Sequence, residues 1–403
     1  DTLMLSAVGD YAVGAVGTAN SYIGIFIIMF SIISSGMVSV MTQNIGAGRP
    51  GVAYQARQLG LLFNAVAGVL MAVFLFSGAG AILRMVGIAD ALYEPALIYL
   101  KIVGGGCILN AVIPIFSSYL RAFGYTKQPL YATIVGNIAN FVMNAVFLFV
   151  LHKGVAGVAT ATVISKILNL CIVLYFSHKL ISAKNSTERI ANKTVLGQIV
   201  KVGLPSACET ALYNVAMMLV IRFLNQMDAE GLNVTARSYT ATISNFSYCV
   251  GAALAQANAI MTGWHIGAGE LEECDRGTKR AAFVGVCVAV CMETAIVLGS
   301  GFIMPLFTDN PEMTALVRKL LAIDIVLEIG RVTNLVFGQA LKTSGDAVFP
   351  AVIAAVFMFV FAVGGTWLFG ISMGLMAVGA YIGLASDECV RAVGMVWRWK
   401  TGK

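Results

Sequence analysis

The chain has 403 residues, of which 59% are hydrophobic and only 11% charged, with a net charge of +6. A soluble domain carries about 25% charged residues, so a soluble globule of this size is excluded. Runs such as Ser21 to Val40, Ala281 to Ile303 and Phe349 to Phe369 stay apolar for roughly 20 residues without alternation, which suits helices that cross hydrocarbon and not barrel strands.

In chain order, "DTLMLSAVGD" (1–10) is too short to span, and we expect it to end a further helix that begins upstream. Helices are predicted at 14–43, 54–80, 96–121, 128–150, 154–178, 197–223, 236–263, 278–303, 314–341, 347–369 and 374–398. The expected total is about twelve transmembrane helices in an all-α integral membrane protein. One long polar segment, 179–196, divides an N-terminal lobe (1–178) from a C-terminal lobe (197–403).

The stretch "IGAGRPG" from Ile45 to Gly51 has the G-x-G-x-x-G spacing of a dinucleotide loop. That fingerprint must follow a strand and open a helix. Here it closes a membrane helix, so the glycines are expected to end that helix in a tight turn. The eight cysteines (107, 171, 208, 249, 274, 287, 291 and 389) include no CxxC, and His152, His178 and His265 lie far apart. No metal site, cofactor or nucleophile–base pair is expected, and no enzyme. The basic residues form no dense run, so no nucleic-acid partner is expected.

The two lobes repeat. "IGAG" occurs at 45–48 and at 266–269, an offset of 221. "LRAFGYTKQP" (120–129) faces "LKTSGDAVFP" (341–350) in the same register, and Gly157 faces Gly379 at offset 222. Two homologous six-helix bundles imply a parallel repeat, an arrangement common among transporters. Lys and Arg crowd the alternate loops that carry Arg49 and Arg57, Arg121 and Lys127, the 179–201 segment, Arg276 to Arg280, Lys342 and the 398–403 end. This bias places both termini and the linker in the cytoplasm of a multi-pass plasma-membrane protein.

Charges within spans are costly and each needs a reason. Asn140 and Asn144 are four apart and share a helix face. Glu209 follows Pro205 and has no local partner in sequence. Glu328, Arg331 and Asn334 form a three-spaced polar stripe on an apolar helix, and Glu388 and Arg391 repeat that spacing beside Asp387. At offset 221 the first half has Cys107, Asn110 and Ile113, so the charges are special to the second half. Glu328 and Arg331 read first as a fixed network that locks helix packing, with a proton-exchanging site as the other reading. Tyr213, Tyr239, Phe246 and Tyr248 are candidates to line a cavity for flat cations, with plain packing as the other reading.

"TQNIGAGRPG", "LRAFGYTKQPLYATIVGNIANFVMNAVFLF", "GVAGVATATVIS", "VGLPSACE", "ALKTSGDAVFP" and "VWRWKTGK" together resemble the multidrug and toxic compound extrusion (MATE) family over the whole chain. The resemblance implies two six-helix lobes around a central cavity. It implies export of organic cations, drugs or metabolites by alternating access, coupled to inward proton or sodium flow, with no cofactor. It further implies an ion-coupling role for Asp1, and matches Asn140 and Thr162 to polar family positions. Asn144 stands where many members have Asp, and an amide cannot titrate; amide and hydroxyl oxygens with Asp1 suit sodium, and helix–helix hydrogen bonds are the alternative role. A membrane-bound monomer acting on a small, cationic, amphipathic substrate is expected. The competing reading is a superfamily flippase or an exporter of a specific metabolite or lipid-linked saccharide.

Overall fold

In the computed structural model, residue 4 and residues 10–85, 90–181, 188–228 and 231–402 are described. Apolar solvent leaves backbone N–H and C=O groups no partner but each other, and the described residues are helical almost throughout, with no strand among them. We number the helices α1 (Asp10–Gly46), α2 (Pro50–Met85), α3 (Asp90–Gly105), α4 (Cys107–Ala122), α5 (Lys127–Ala145), α6 (Gly154–Leu180), α7 (Asn192–Met227), α8 (Leu232–Ala268), α9 (Leu271–Ile303), α10 (Pro311–Thr343), α11 (Val348–Phe357) and α12 (Met376–Thr401). The span expected at 96–121 is a helix pair, α3 and α4, bent by 40° at Gly106. The helix expected from 197 already begins at Asn192.

The chain divides into two compact units, Asp1–Leu204 and Pro205–Lys403. Among the described residues, seven helices are by length and composition apolar enough to cross a membrane, and the α3–α4 pair makes an eighth. Helices α8, α10 and α12 fall short because they carry the buried polar residues of the second unit, among them Ser244, Asp324, Glu328, Asn334, Asp387, Glu388 and Arg391. The outward faces are apolar: Leu62, Val66, Val69, Leu70 and Val73 make one exposed stripe along α2. On its inner face, buried Asn64 donates to the carbonyls of Phe30 on α1 (3.2 Å) and Ala111 on α4 (3.0 Å). One amide thus ties three helices in a medium where an unpaired donor is costly.

The repeat read from sequence is present in the backbone. Gly48 and Gly269 end α1 and α8 in the left-handed region, with φ of 71° and 79°. Arg49 N–H and Glu270 N–H close the same turn onto Asn44 and His265 carbonyls, both at 2.8 Å. These are helix-ending glycines, as the sequence predicts, and not a phosphate loop. Gly124 and Gly345 occupy the matching turn after α4 and α10, with φ of 84° and 98°. At offset 222, a π-helical turn follows α5 over Val146–Val150, and in the second unit the π-helical stretches after α11 end in one over Thr366–Ser372. The next two left-handed positions are His152 and Gly154 in one unit, Gly374 and Met376 in the other. The glycine has changed places, and each half carries one side chain where φ is positive.

Gly157 and Gly379 follow, pressed on those turns. A β-carbon on Gly157 would lie 2.8 Å from the Phe147 β-carbon, and one on Gly379 would lie 2.4 Å from the Phe369 carbonyl carbon. Backbone cannot yield as a side chain can. Gly379→Ala is expected to cost about 2 kcal/mol or more and to lower the midpoint of thermal unfolding in detergent by several degrees. Gly277→Ala, which meets open space, is the control and should hold or raise that midpoint. An unchanged midpoint for Gly379→Ala would refute this account of the turn.

Candidate functional site

In the second unit α10 packs against α8, α9 and α12. Its Gly330 meets α12 backbone to backbone: a β-carbon there would lie 2.7 Å from Cys389 N and from the Glu388 carbonyl carbon. Val332 fills the space over Gly251 of α8 and Gly285 of α9. Small residues allow this approach, as is usual between membrane helices, and it brings the α10 polar stripe onto that of α12.

A network results. Arg331 donates to Glu328 one turn before it and lies 3.7 Å from Glu388 Oε1. Asn334 donates to Glu388 Oε2 at 3.0 Å. Arg391 reaches Glu388 Oε1 and Asp387 Oδ2, both at 2.8 Å. Glu328, Asp387, Glu388 and Arg391 are all buried, so each charge depends on its partner. Behind Arg331, the buried carboxylates of Glu293 on α9 and of Asp324 and Glu328 on α10 converge, with ligand atoms all within 4.8 Å of one another. A cavity of about 300 Å³ opens beside the network, walled by Tyr213, Met217, Arg237, Ser244, Tyr248, Asp324, Arg331, Tyr381 and Glu388. A second, of about 200 Å³, shares Tyr213, Tyr248, Arg331 and Glu388 and reaches Glu209.

The first unit has its own polar cavity, of about 340 Å³, lined by Asn20, Tyr99, Asn137, Asn140, Thr162, Ser165, Lys166 and Asn169. Lys166 of α6 donates to Asn110 of α4 at 2.8 Å. In the repeat, Asn110 corresponds to Arg331 (offset 221) and Lys166 to Glu388 (offset 222). The same inter-helix contact is therefore built twice, with a cation on α6 in one half and an anion on α12 in the other.

The family model MatE matches residues 1–146 and 205–368. The chain belongs to the MatE family. A Bacillus subtilis (strain 168) relative, "Uncharacterized transporter YisQ", is 32% identical over 100% of this chain and 89% of its own length. The fold matches a multidrug resistance MATE family transporter of the MOP superfamily in an outward-facing conformation (TM-score 0.89, 19% identity, 100% of this chain and 91% of that one). It also matches a MATE protein in a straight conformation (TM-score 0.88, 21% identity, 100% and 91%). A third match is a MOP superfamily transporter from Pyrococcus furiosus Vc1, described as having a binding pocket of reverse polarity (TM-score 0.85, 19% identity, 100% and 90%). The MatE chain is thus a membrane transporter of two-lobed helical fold, and not an enzyme.

In this MatE protein the residues singled out in the sequence fall into separate places. Asp1 lies outside the described residues. Asn140 and Thr162 line the first-unit cavity, and Asn144 donates to Asn140 Oδ1 at 3.1 Å. Glu328, Arg331, Asn334, Glu388 and Arg391 form one network. Tyr213 lines both second-unit cavities, whereas Tyr239 lines neither: its hydroxyl donates to the Phe307 carbonyl at 3.4 Å and its ring lies 5.4 Å from that of Phe307. Phe246 is mostly exposed. Glu209, which has no local partner in sequence, finds a distant one: Lys342 of α10 lies 2.8 Å from its Oε2. Sequence reasoning missed Glu293, Asp324, Ser244 and Ser247. The signal was there, because a lone acid in "CVAVCMETAIVL" needs explaining wherever it falls in a span.

Arg331→Met strips the guanidinium from Glu328 and Glu388. It is expected to cost about 3–5 kcal/mol, read as loss of monodisperse protein on heating in detergent. Glu328→Gln with Arg331→Met removes charge and counter-charge together and should recover much of that loss. Equal instability of single and double variants would show that Arg331 acts through packing alone.

Proposed function

We propose that this MatE transporter exports organic cations, drugs or metabolites by alternating access, driven by inward flow of protons or sodium. The observation that carries this reading is the wall of the second-unit cavity. Asp324, Asp387 and Glu388 stand there beside Tyr213, Tyr248 and Tyr381. Carboxylates supply the counter-charge for a cation, and aromatic faces attract its delocalised charge. The same carboxylates give ion binding and substrate binding a common place to compete, and each ligand then favours a different state of the transporter.

The Lys and Arg bias supports a plasma-membrane protein with both termini in the cytoplasm, lobes at 1–178 and 197–403, and a cytoplasmic linker at 179–196. A monomer suffices for this scheme. The second reading, export of a specific metabolite or lipid-linked saccharide, is favoured by the first-unit cavity. Its amides and the Lys166 ammonium offer the donors that sugars and acidic groups accept.

The test uses the full-length protein in inside-out proteoliposomes, following uptake of a fluorescent organic cation under an imposed proton or sodium gradient. Uptake under one gradient is expected, with Glu209→Gln lowering it tenfold or more. Undiminished uptake in Glu209→Gln would remove that residue from coupling. No uptake under either gradient would overturn the cation reading in favour of the second.

A further inference from the structure

The repeat provides an internal control for every polar residue in the second unit. At offset 221, Glu293, Asp324 and Glu328 correspond to Ala72, Val103 and Cys107, and Ser244 corresponds to Ile23. Ile23, Val103 and Cys107 sit together in one apolar core cluster, with Ala72 packed against it. The first unit therefore fills this place with apolar side chains. In the second unit the same place holds three carboxylates.

Those carboxylates are only partly satisfied by the protein. Glu293 and Glu328 are 0% exposed and Asp324 is 3% exposed. Both Glu293 oxygens, Asp324 Oδ2 and Glu328 Oε2 have no hydrogen-bond donor. Glu328 Oε1 is engaged by Arg331. From α8, the buried hydroxyls of Ser244 and Ser247 lie within reach of Asp324 and Glu293 as weak donors. The surrounding network offers little counter-charge. Arg331 is shared with Glu388, Arg391 is held by Asp387 and Glu388, and the Arg237 guanidinium rests on Met217 Sδ at 3.8 Å.

Like charges this close cannot all ionise without a cation among them, and unpartnered buried oxygens carry a heavy penalty. The donor set is carboxylate and hydroxyl oxygen only, with no sulfur or imidazole, which is the set that hard cations take. Ser244 and Asp324 also face the cavity of about 300 Å³, which gives an ion its way in. We propose that Glu293, Asp324 and Glu328, with Ser244 and Ser247, bind a hard metal cation. The spacing rules applied to the sequence miss this site because its ligands come from α8, α9 and α10. That the bound ion is the coupling ion rests on the exporter reading above; that the site binds an ion does not.

The test is direct binding of sodium-22 and of calcium-45 to purified full-length protein in lipid nanodiscs, beside the transport assay. One of the two ions is expected to bind saturably, at about one per chain. Glu293→Gln and Asp324→Asn should each weaken it tenfold or more while raising or preserving the unfolding temperature in ion-free buffer. Failure of both ions to bind would overturn the site, and so would binding unchanged in both variants. Gradient-driven transport without metal binding would overturn the site yet keep the exporter reading. Binding without transport under either gradient would keep the site and overturn the exporter reading.

Discussion

The structure depends first on the backbone hydrogen bond in a solvent that offers no replacement. Each N–H and C=O in hydrocarbon must find its partner within the same helix, so the chain is helical wherever it crosses. What remains free is where helices end and how closely they approach. Both are set by glycine: at Gly48 and Gly269, where only a left-handed turn closes the helix, and at Gly330, where α10 and α12 touch through their backbones. Side chains then occupy what the backbone leaves.

That order explains how the two halves share a fold while differing in chemistry. The turns, the π-helical ends and the close contact of Gly157 and Gly379 recur at offsets of 221 and 222, because they belong to the backbone. The residues that line the interior are free to diverge. Asn110 and Lys166 in one half occupy the positions of Arg331 and Glu388 in the other. A contact geometry has been kept while its electrostatics was rewritten. The second unit differs further, with carboxylates where the first has part of its apolar core.

This division also fixes what could be read without a structure. Helix positions were legible because hydrophobic runs of the right length admit few readings. The repeat was legible because glycines and a proline mark the turns in register. The three-spaced stripe on α10 was legible because its members share one helix face. The partner of Glu209 was not, since Lys342 comes from another helix, and neither was the meeting of Glu293 with Asp324 and Glu328. Periodicity reports which residues share a face of one helix; it carries no information about which helix that face meets. Tyr239 shows the same limit from the other side, an aromatic residue of suitable type whose face meets Phe307 instead of the cavity.

One difference between the halves is mechanical. The α3–α4 pair breaks at Gly106, whereas its counterpart α10 runs unbroken through Leu327, the matching position. A rod with a joint can take up a displacement at one end without passing it on. A continuous helix transmits it along its length. Motion applied to either end of α10 is therefore delivered to the charges it carries, while the corresponding motion in the first half can be absorbed at the joint. The half that concentrates the buried charge is also the half whose axis has no slack.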